Sequence, residues 1–113
     1  MKVLHLDDSR EMRSAMRRQF QDEVGEFLTV ATAAEAVDAL AKSDWDLFIS
    51  DWILGDGNTA LEAIRLARDL HIPVLLLSGD PPDDVEVDAS VMKGDIDEVT
   101  SAVMGMLRPQ PSC

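Results

Sequence analysis

Cysteine is almost missing from this chain of 113 residues: the single one, Cys113, is the last. One terminal thiol builds no disulfide framework, and no neighbouring residue would activate it as a nucleophile. Basic residues are scarce as well. Ten Lys and Arg stand against 22 Asp and Glu, a formal net charge of −12 at pH 7. That balance speaks against direct nucleic-acid binding, which needs cations to neutralise phosphates. No run approaches the ~20 apolar residues of a membrane helix. The opening MKVLHLDDS has too short an apolar stretch before Asp7 and Asp8 to be a signal peptide. Repeats and low-complexity segments are absent too. The expectation is a soluble cytoplasmic protein, since an unpaired thiol suits a reducing compartment. Its length allows one packed core, over residues 1–108, with 109–113 as a flexible tail.

What is present is an alternation. Residues 2–6 (KVLHL), 27–31 (FLTVA), 46–50 (DLFIS), 73–77 (PVLLL) and 89–92 (ASVM) read as strands. Several are nearly all apolar, as parallel strands covered on both faces should be. Between them lie helical patterns. Met12, Ala15, Met16 and Phe20 recur at helical spacing after Ser9. Thr32-Ala-Ala-Glu35 and Thr59-Ala-Leu-Glu62 each match a capping box. Asp95 is placed to cap a last helix carrying Val99, Ala102, Val103, Met106 and Leu107 on one face, ended by Pro109. This order predicts an α/β, flavodoxin-like (βα)5 doubly wound sheet, five parallel strands in order 2-1-3-4-5. In that arrangement a site forms at the carboxyl ends of the strands.

The residues at those ends are Asp7 and Asp8, Asp51, Ser78 and Lys93. Taken singly, each has a plain structural reading: an Asp or Ser there is common turn or cap chemistry, and a lysine among acids is a counter-ion. Taken together they are chemically coherent. Crowded carboxylates repel one another unless a cation offsets their charge. Mg2+ is the natural cation, being hard and bound through one or two carboxylates, waters and often a phosphate oxygen. A hydroxyl at 78 and an ammonium at 93 suit the remaining phosphoryl oxygens. The chemistry implied is phosphoryl transfer onto Asp51.

The motifs VLHLDDSREMR, LFISDWILGDGN, IPVLLLSGD and SVMK, in that order and over residues 2–108, resemble the receiver domain of two-component response regulators, particularly chemotaxis-type receivers. The resemblance implies that Asp51 is the phosphoacceptor. It implies that Asp7, Asp8, Asp51 and the backbone carbonyl of Ile53 hold Mg2+, and that Ser78 and Lys93 contact the phosphoryl group. The donor would be a phosphohistidine on a sensor histidine kinase or a histidine phosphotransfer protein. Arg10, Arg13 and Arg17 can share one face of helix 1, either as a solvated face or, by the resemblance, as the kinase docking surface. A downstream protein partner or a phosphate-sink role would complete the pathway. Such a protein is no enzyme beyond catalysing its own phosphorylation and dephosphorylation.

Four departures from the family pattern bear on mechanism. Ser90 occupies the switch position, where an aromatic residue is usual. Gly94 follows Lys93 where proline is usual, so a trans bond is expected. Gly55 stands where proline is common, which predicts a more mobile loop. Only fourteen residues separate Ser78 from Lys93, five of them acidic. That is too short for a full fourth helix once the strand is subtracted. The expectation is a turn there, leaving part of one sheet face thinly covered, either open to a partner or a second copy or closed by the loop and neighbouring side chains. A degenerate receiver that binds partners without phosphorylation is the alternative. An aspartyl-phosphate phosphatase of the haloacid dehalogenase class fits less well, because it wants Asp-x-Asp after strand 1. His5 reads as a packed residue, and His71 as a helix-end residue suited to the dipole.

Overall fold

Five strands and four helices are found among the described residues, which are 1–52, 60–77, 87–91 and 96–107 of a computed structural model. In chain order they are β1 (Lys2–Leu6), α1 (Arg10–Val24), β2 (Glu26–Val30), α2 (Ala33–Lys42), β3 (Leu47–Asp51), α3 (Leu61–Asp69), β4 (Val74–Leu77), β5 (Ala89–Val91) and α4 (Ile96–Leu107). The strands form one sheet in order β2-β1-β3-β4-β5, and each neighbouring pair is parallel. This is the expected flavodoxin-like sheet. The chain runs outward from β1 to β2, then returns past β1 to β3, so the topological switch lies between β1 and β3.

Strand periodicity divides the apolar residues between two layers. Leu4, Leu6, Phe48, Val74 and Leu76 face α2 and α3, where Ala36, Leu40, Ala63, Ile64 and Ala67 meet them. Val3, Leu47, Ile49, Leu75 and Leu77 face α1 and α4, against Met16, Phe20, Val24, Val99 and Val103. The central strands β3 and β4 are buried throughout, which is why their sequences do not alternate. His5 is wholly buried and lies 6.0 Å from the Phe27 ring, as a packed residue should. Trp45 lies over α2, its Nε1–H donating to the Ala39 carbonyl at 2.9 Å.

Helix ends follow the local chemistry with one shift. Ser9 caps α1, its hydroxyl accepting from the Met12 N–H at 3.3 Å. Thr32 caps α2, accepting from the Glu35 N–H at 3.1 Å, while the Glu35 carboxylate accepts from the Ala31 N–H at 3.3 Å. At α3 the cap position is Ala60 and not the predicted Thr59. The helix starts at Leu61 with Ala60 in the cap position and no side-chain cap. Ala60 has φ −84° and ψ 8°, already turned rather than extended, which moves the boundary one residue along. Thr59 and Asp95 lie outside the described residues.

The end of α3 revises the reading of His71. Its N–H donates to the Arg68 carbonyl at 3.1 Å and that of Ile72 to the Ala67 carbonyl at 2.9 Å, the two bonds of a Schellman motif. This places His71 at φ 61°, a conformation that glycine usually supplies. The residue's role is therefore a conformational one at the helix end.

Only eleven positions, 78–88, connect β4 to β5. Four helices among the described residues fit a fourth crossover helix that is missing or reduced to a turn. The entry to β5 is fastened by Asp88. Its N–H donates to the Val74 carbonyl at 3.0 Å, and its Oδ2 accepts from the Val74 N–H at 2.7 Å and from Arg68 Nη1 at 2.9 Å. The sheet face expected to be thinly covered is closed at β4, where Val74 and Leu76 are wholly buried. At β5 that face presents Ser90, which is exposed. Asp88→Ala should lower stability by about 1–2 kcal/mol, because the Val74 N–H and the Arg68 guanidinium lose their shared acceptor. His71→Gly should raise stability by about 1 kcal/mol by relieving the left-handed backbone. Urea unfolding of the two variants checks both signs.

Candidate functional site

The site grows out of the parallel register between β1 and β3. Leu6 pairs with Ser50, so the next residues along, Asp7 and Asp51, emerge side by side at the carboxyl edge of the sheet. Both belong to the strand face that carries Val3 and Ile49, toward α1 and α4. Asp7 is wholly buried and Asp51 is 8% exposed, while Asp8, next along the turn, is exposed. One carboxylate oxygen from each of the three lies within 4.8 Å of the others. Sequence reasoning brought these three residues together, and the fold does so as well.

Each acid is held differently. Asp7 Oδ1 accepts the Ser9 N–H at 2.8 Å, an Asx turn that orients the carboxylate and leads into the Ser9 cap of α1. The Asp7 N–H donates to the Val30 carbonyl at 3.1 Å, which ties the turn to β2. Asp7 Oδ2 stands 3.9 Å from His5 Nε2, one strand repeat behind it. Asp51 Oδ1 accepts the Trp52 N–H at 2.9 Å, and the Asp51 carbonyl accepts the Ser50 hydroxyl at 2.8 Å. The Trp52 carbonyl then accepts the Ala60 N–H at 3.0 Å, so Trp52 links the acid to the approach of α3. Its ring packs on the α2–α3 side of the core.

Ser78 and Lys93 lie outside the described residues, as do Ile53, Gly55 and Gly94. Among their neighbours in sequence, Leu77, just before Ser78, pairs with Asp51, and Val91, two before Lys93, pairs with Leu77. Ser90 pairs with Leu76 and points to solvent. Arg10, Arg13 and Arg17 do share a face. With Ser14, Arg18 and Thr29 they line a surface groove of about 490 Å3. Within it Arg17 Nη2 reaches Thr29 Oγ1 at 3.4 Å. Arg13 is engaged elsewhere: its Nη1 donates to the Asp7 carbonyl at 2.8 Å. Sequence reasoning read Arg13 only as a surface cation. The available signal was its position one turn after the Ser9 cap, since helical side chains lean back over the preceding turn.

The three acids fit a hard divalent cation by donor chemistry, offering oxygen ligands from a rigid strand end and an exposed turn. A doubly wound sheet with an acidic cluster at its switch point belongs to the class of open α/β proteins whose sites lie at the carboxyl ends of the strands. Structural comparison narrows the class. The response regulator TrrA of Thermotoga maritima, crystallised in complex with Mg2+–BeF, matches with a TM-score of 0.80 at 26% identity, over 95% of this chain and 100% of that one. The receiver domain of the hybrid histidine kinase CckA matches with a TM-score of 0.79 at 26% identity, over 96% of this chain and 100% of that one. The chemotaxis response regulator CheY4 of Vibrio cholerae matches with a TM-score of 0.80 at 24% identity, over 94% and 98%. No protein-family model matches the sequence, and no curated protein matches it. The chain has the receiver fold of response regulators. Among the described residues no helix is long and apolar enough to cross a membrane.

Carboxylates packed this closely repel one another. Asp8→Asn should therefore stabilise the protein in metal-free buffer by roughly 0.5–1 kcal/mol. If MgCl2 raises the Tm of the wild type, the substitution should shrink that rise. Thermal melts with EDTA and with MgCl2 read both effects, and an equal rise in both proteins would contradict the expectation.

Proposed function

We propose that this chain is a phosphorylatable receiver that accepts a phosphoryl group onto Asp51. The single observation that carries the reading is the convergence of the Asp7, Asp8 and Asp51 oxygens within 4.8 Å at the switch point of a receiver fold. The Mg2+–BeF complex of TrrA adds support, because a metal and a phosphoryl mimic bind a protein of this fold.

Asp7, Asp8 and Asp51 would hold Mg2+, with the Ile53 carbonyl as a further ligand. When bound, the metal supplies positive charge that screens the incoming phosphoryl oxygens. The acids' own contributions follow from their settings. Burial and the Ser9 N–H hold Asp7 as a fixed ligand, whereas exposed Asp8 can adjust to the ion. Trp52 N–H holds Asp51 Oδ1, so attack through Oδ2 leaves that hydrogen bond in place. In the transfer a bond forms from Asp51 oxygen to phosphorus and the phosphorus–nitrogen bond of a phosphohistidine breaks. The imidazole nitrogen leaves with the electron pair. Ser78 and Lys93 would take the remaining phosphoryl oxygens, by hydrogen bond and by charge.

The donor is a sensor histidine kinase or a histidine phosphotransfer protein. The groove lined by Arg10, Arg13 and Arg17 suits docking of such a partner, because it gathers cations on a chain of net charge −12. Output runs through contact with a downstream protein, or the chain serves as a phosphate sink. Exposed Ser90 favours a second reading, a degenerate receiver that acts as a phosphorylation-independent interaction module. With a serine at position 90, no ring is there to bury on phosphorylation.

Intact-mass measurement separates the two readings. Incubation with Mg2+ and acetyl phosphate, or with a phosphohistidine donor, should give one phosphoryl adduct that Asp51→Asn abolishes. No adduct, together with no binding of beryllofluoride, favours the phosphorylation-independent module.

A further inference from the structure

We propose that Arg13 is a positioning residue for the acidic site, acting through the backbone of Asp7. The proposal rests on the reading of Asp7, Asp8 and Asp51 as a cation site and adds a residue that reading does not contain.

The β1–α1 turn is held by a closed set of bonds. The Arg13 N–H donates to the Ser9 carbonyl at 3.0 Å as the first helical bond, and Ser9 N–H donates to Asp7 Oδ1 at 2.8 Å. Arg13 Nη1 then reaches back six residues to the Asp7 carbonyl at 2.8 Å, a part-buried contact. The carbonyl of Asp7 begins the peptide plane that leads into Asp8. The guanidinium therefore fixes the plane joining the two acids, and with it the direction in which exposed Asp8 projects. A charged donor to a carbonyl is among the stronger hydrogen bonds, and here it holds the carbonyl side of Asp7 while the N–H side is tied to Val30.

Arg13 also brings a positive charge close to a site that would take a divalent cation. Electrostatics alone makes that charge unfavourable to cation binding. Its removal should then tighten Mg2+ affinity. Positioning makes the opposite prediction for any substitution that loses the donor. The two effects differ in sign, so one pair of variants resolves them.

Arg13→Met and Arg13→Gln remove the same charge and keep a similar unbranched stem, and only Gln retains an N–H donor. MgCl2 titrations followed by the Trp52 backbone amide shift, whose N–H binds Asp51, report the site directly. Arg13→Met should weaken Mg2+ binding about tenfold, the usual scale for losing a partner that orients a ligand. Arg13→Gln should bind within about twofold of the wild type, or more tightly. Equal affinities in the two variants, or tighter binding by Arg13→Met than by the wild type, would overturn the proposal. Hydrogen exchange at the Ser9 amide without metal gives a second reading: faster in Arg13→Met than in Arg13→Gln if the turn is held as described, and alike in both if it is not. A wild type that ignores Mg2+ would sink the cation-site reading, and the exchange result would still decide the part played by Arg13.

Discussion

The structure is organised around a pair of like charges brought together by strand register. Pairing of Leu6 with Ser50 makes Asp7 and Asp51 neighbours, and the turn adds Asp8 within 4.8 Å. Two unit charges at about this separation repel by roughly 1 kcal/mol in water and by about 4 at the effective dielectric of a protein surface. The fold accepts this because the register is set by burial. A one-residue slip of β3 would turn the wholly buried Phe48 away from the α2–α3 layer and Ile49 away from the α1–α4 layer. Losing even one such side chain from the core costs about 2–5 kcal/mol. Apolar packing thus holds the acids in a crowded arrangement that they would not adopt alone.

Around this pair the surrounding bonds divide into those that fix and those that leave room. Asp7 is bound through its side chain, its N–H and its carbonyl to three residues, Ser9, Val30 and Arg13. Asp8 is exposed on the turn. Asp51 communicates with Trp52, which closes to Ala60 ahead of α3. A change in the charge on Asp51 therefore has a short covalent and hydrogen-bonded route to α3, on the same side of the sheet as Ser90.

The far edge of the sheet shows how a short connection is tolerated. β5 has three residues and no fully buried side chain, so packing alone holds it weakly. Asp88 supplies polar anchoring at its entrance, pairing with the Val74 backbone and with Arg68 of α3. Ala89 and Val91 face the α1–α4 layer, which leaves Ser90 on the opposite side. A polar residue there is compatible with solvent where a crossover helix would otherwise cover the strand.

Much of this was legible in the chain itself. The strand and helix order, the parallel sheet and the acids at strand ends followed from apolar periodicity and its interruptions, because buried parallel strands write themselves as short apolar runs. The shortened crossover was readable from spacing alone. Tertiary structure decided what spacing does not encode. It committed Arg13 to the Asp7 carbonyl rather than to the groove alone, since the lean of a helical side chain depends on where the preceding turn lies. It gave His71 a backbone role, because a left-handed residue is specified by the closing bonds of α3 and not by its imidazole. It also decided between the two readings of the thin face, burying Leu76 where the count of connecting residues allowed either an open or a closed face. Sequence determined which chemical groups arrive at the sheet edge; three-dimensional packing determined what each of them is holding once there.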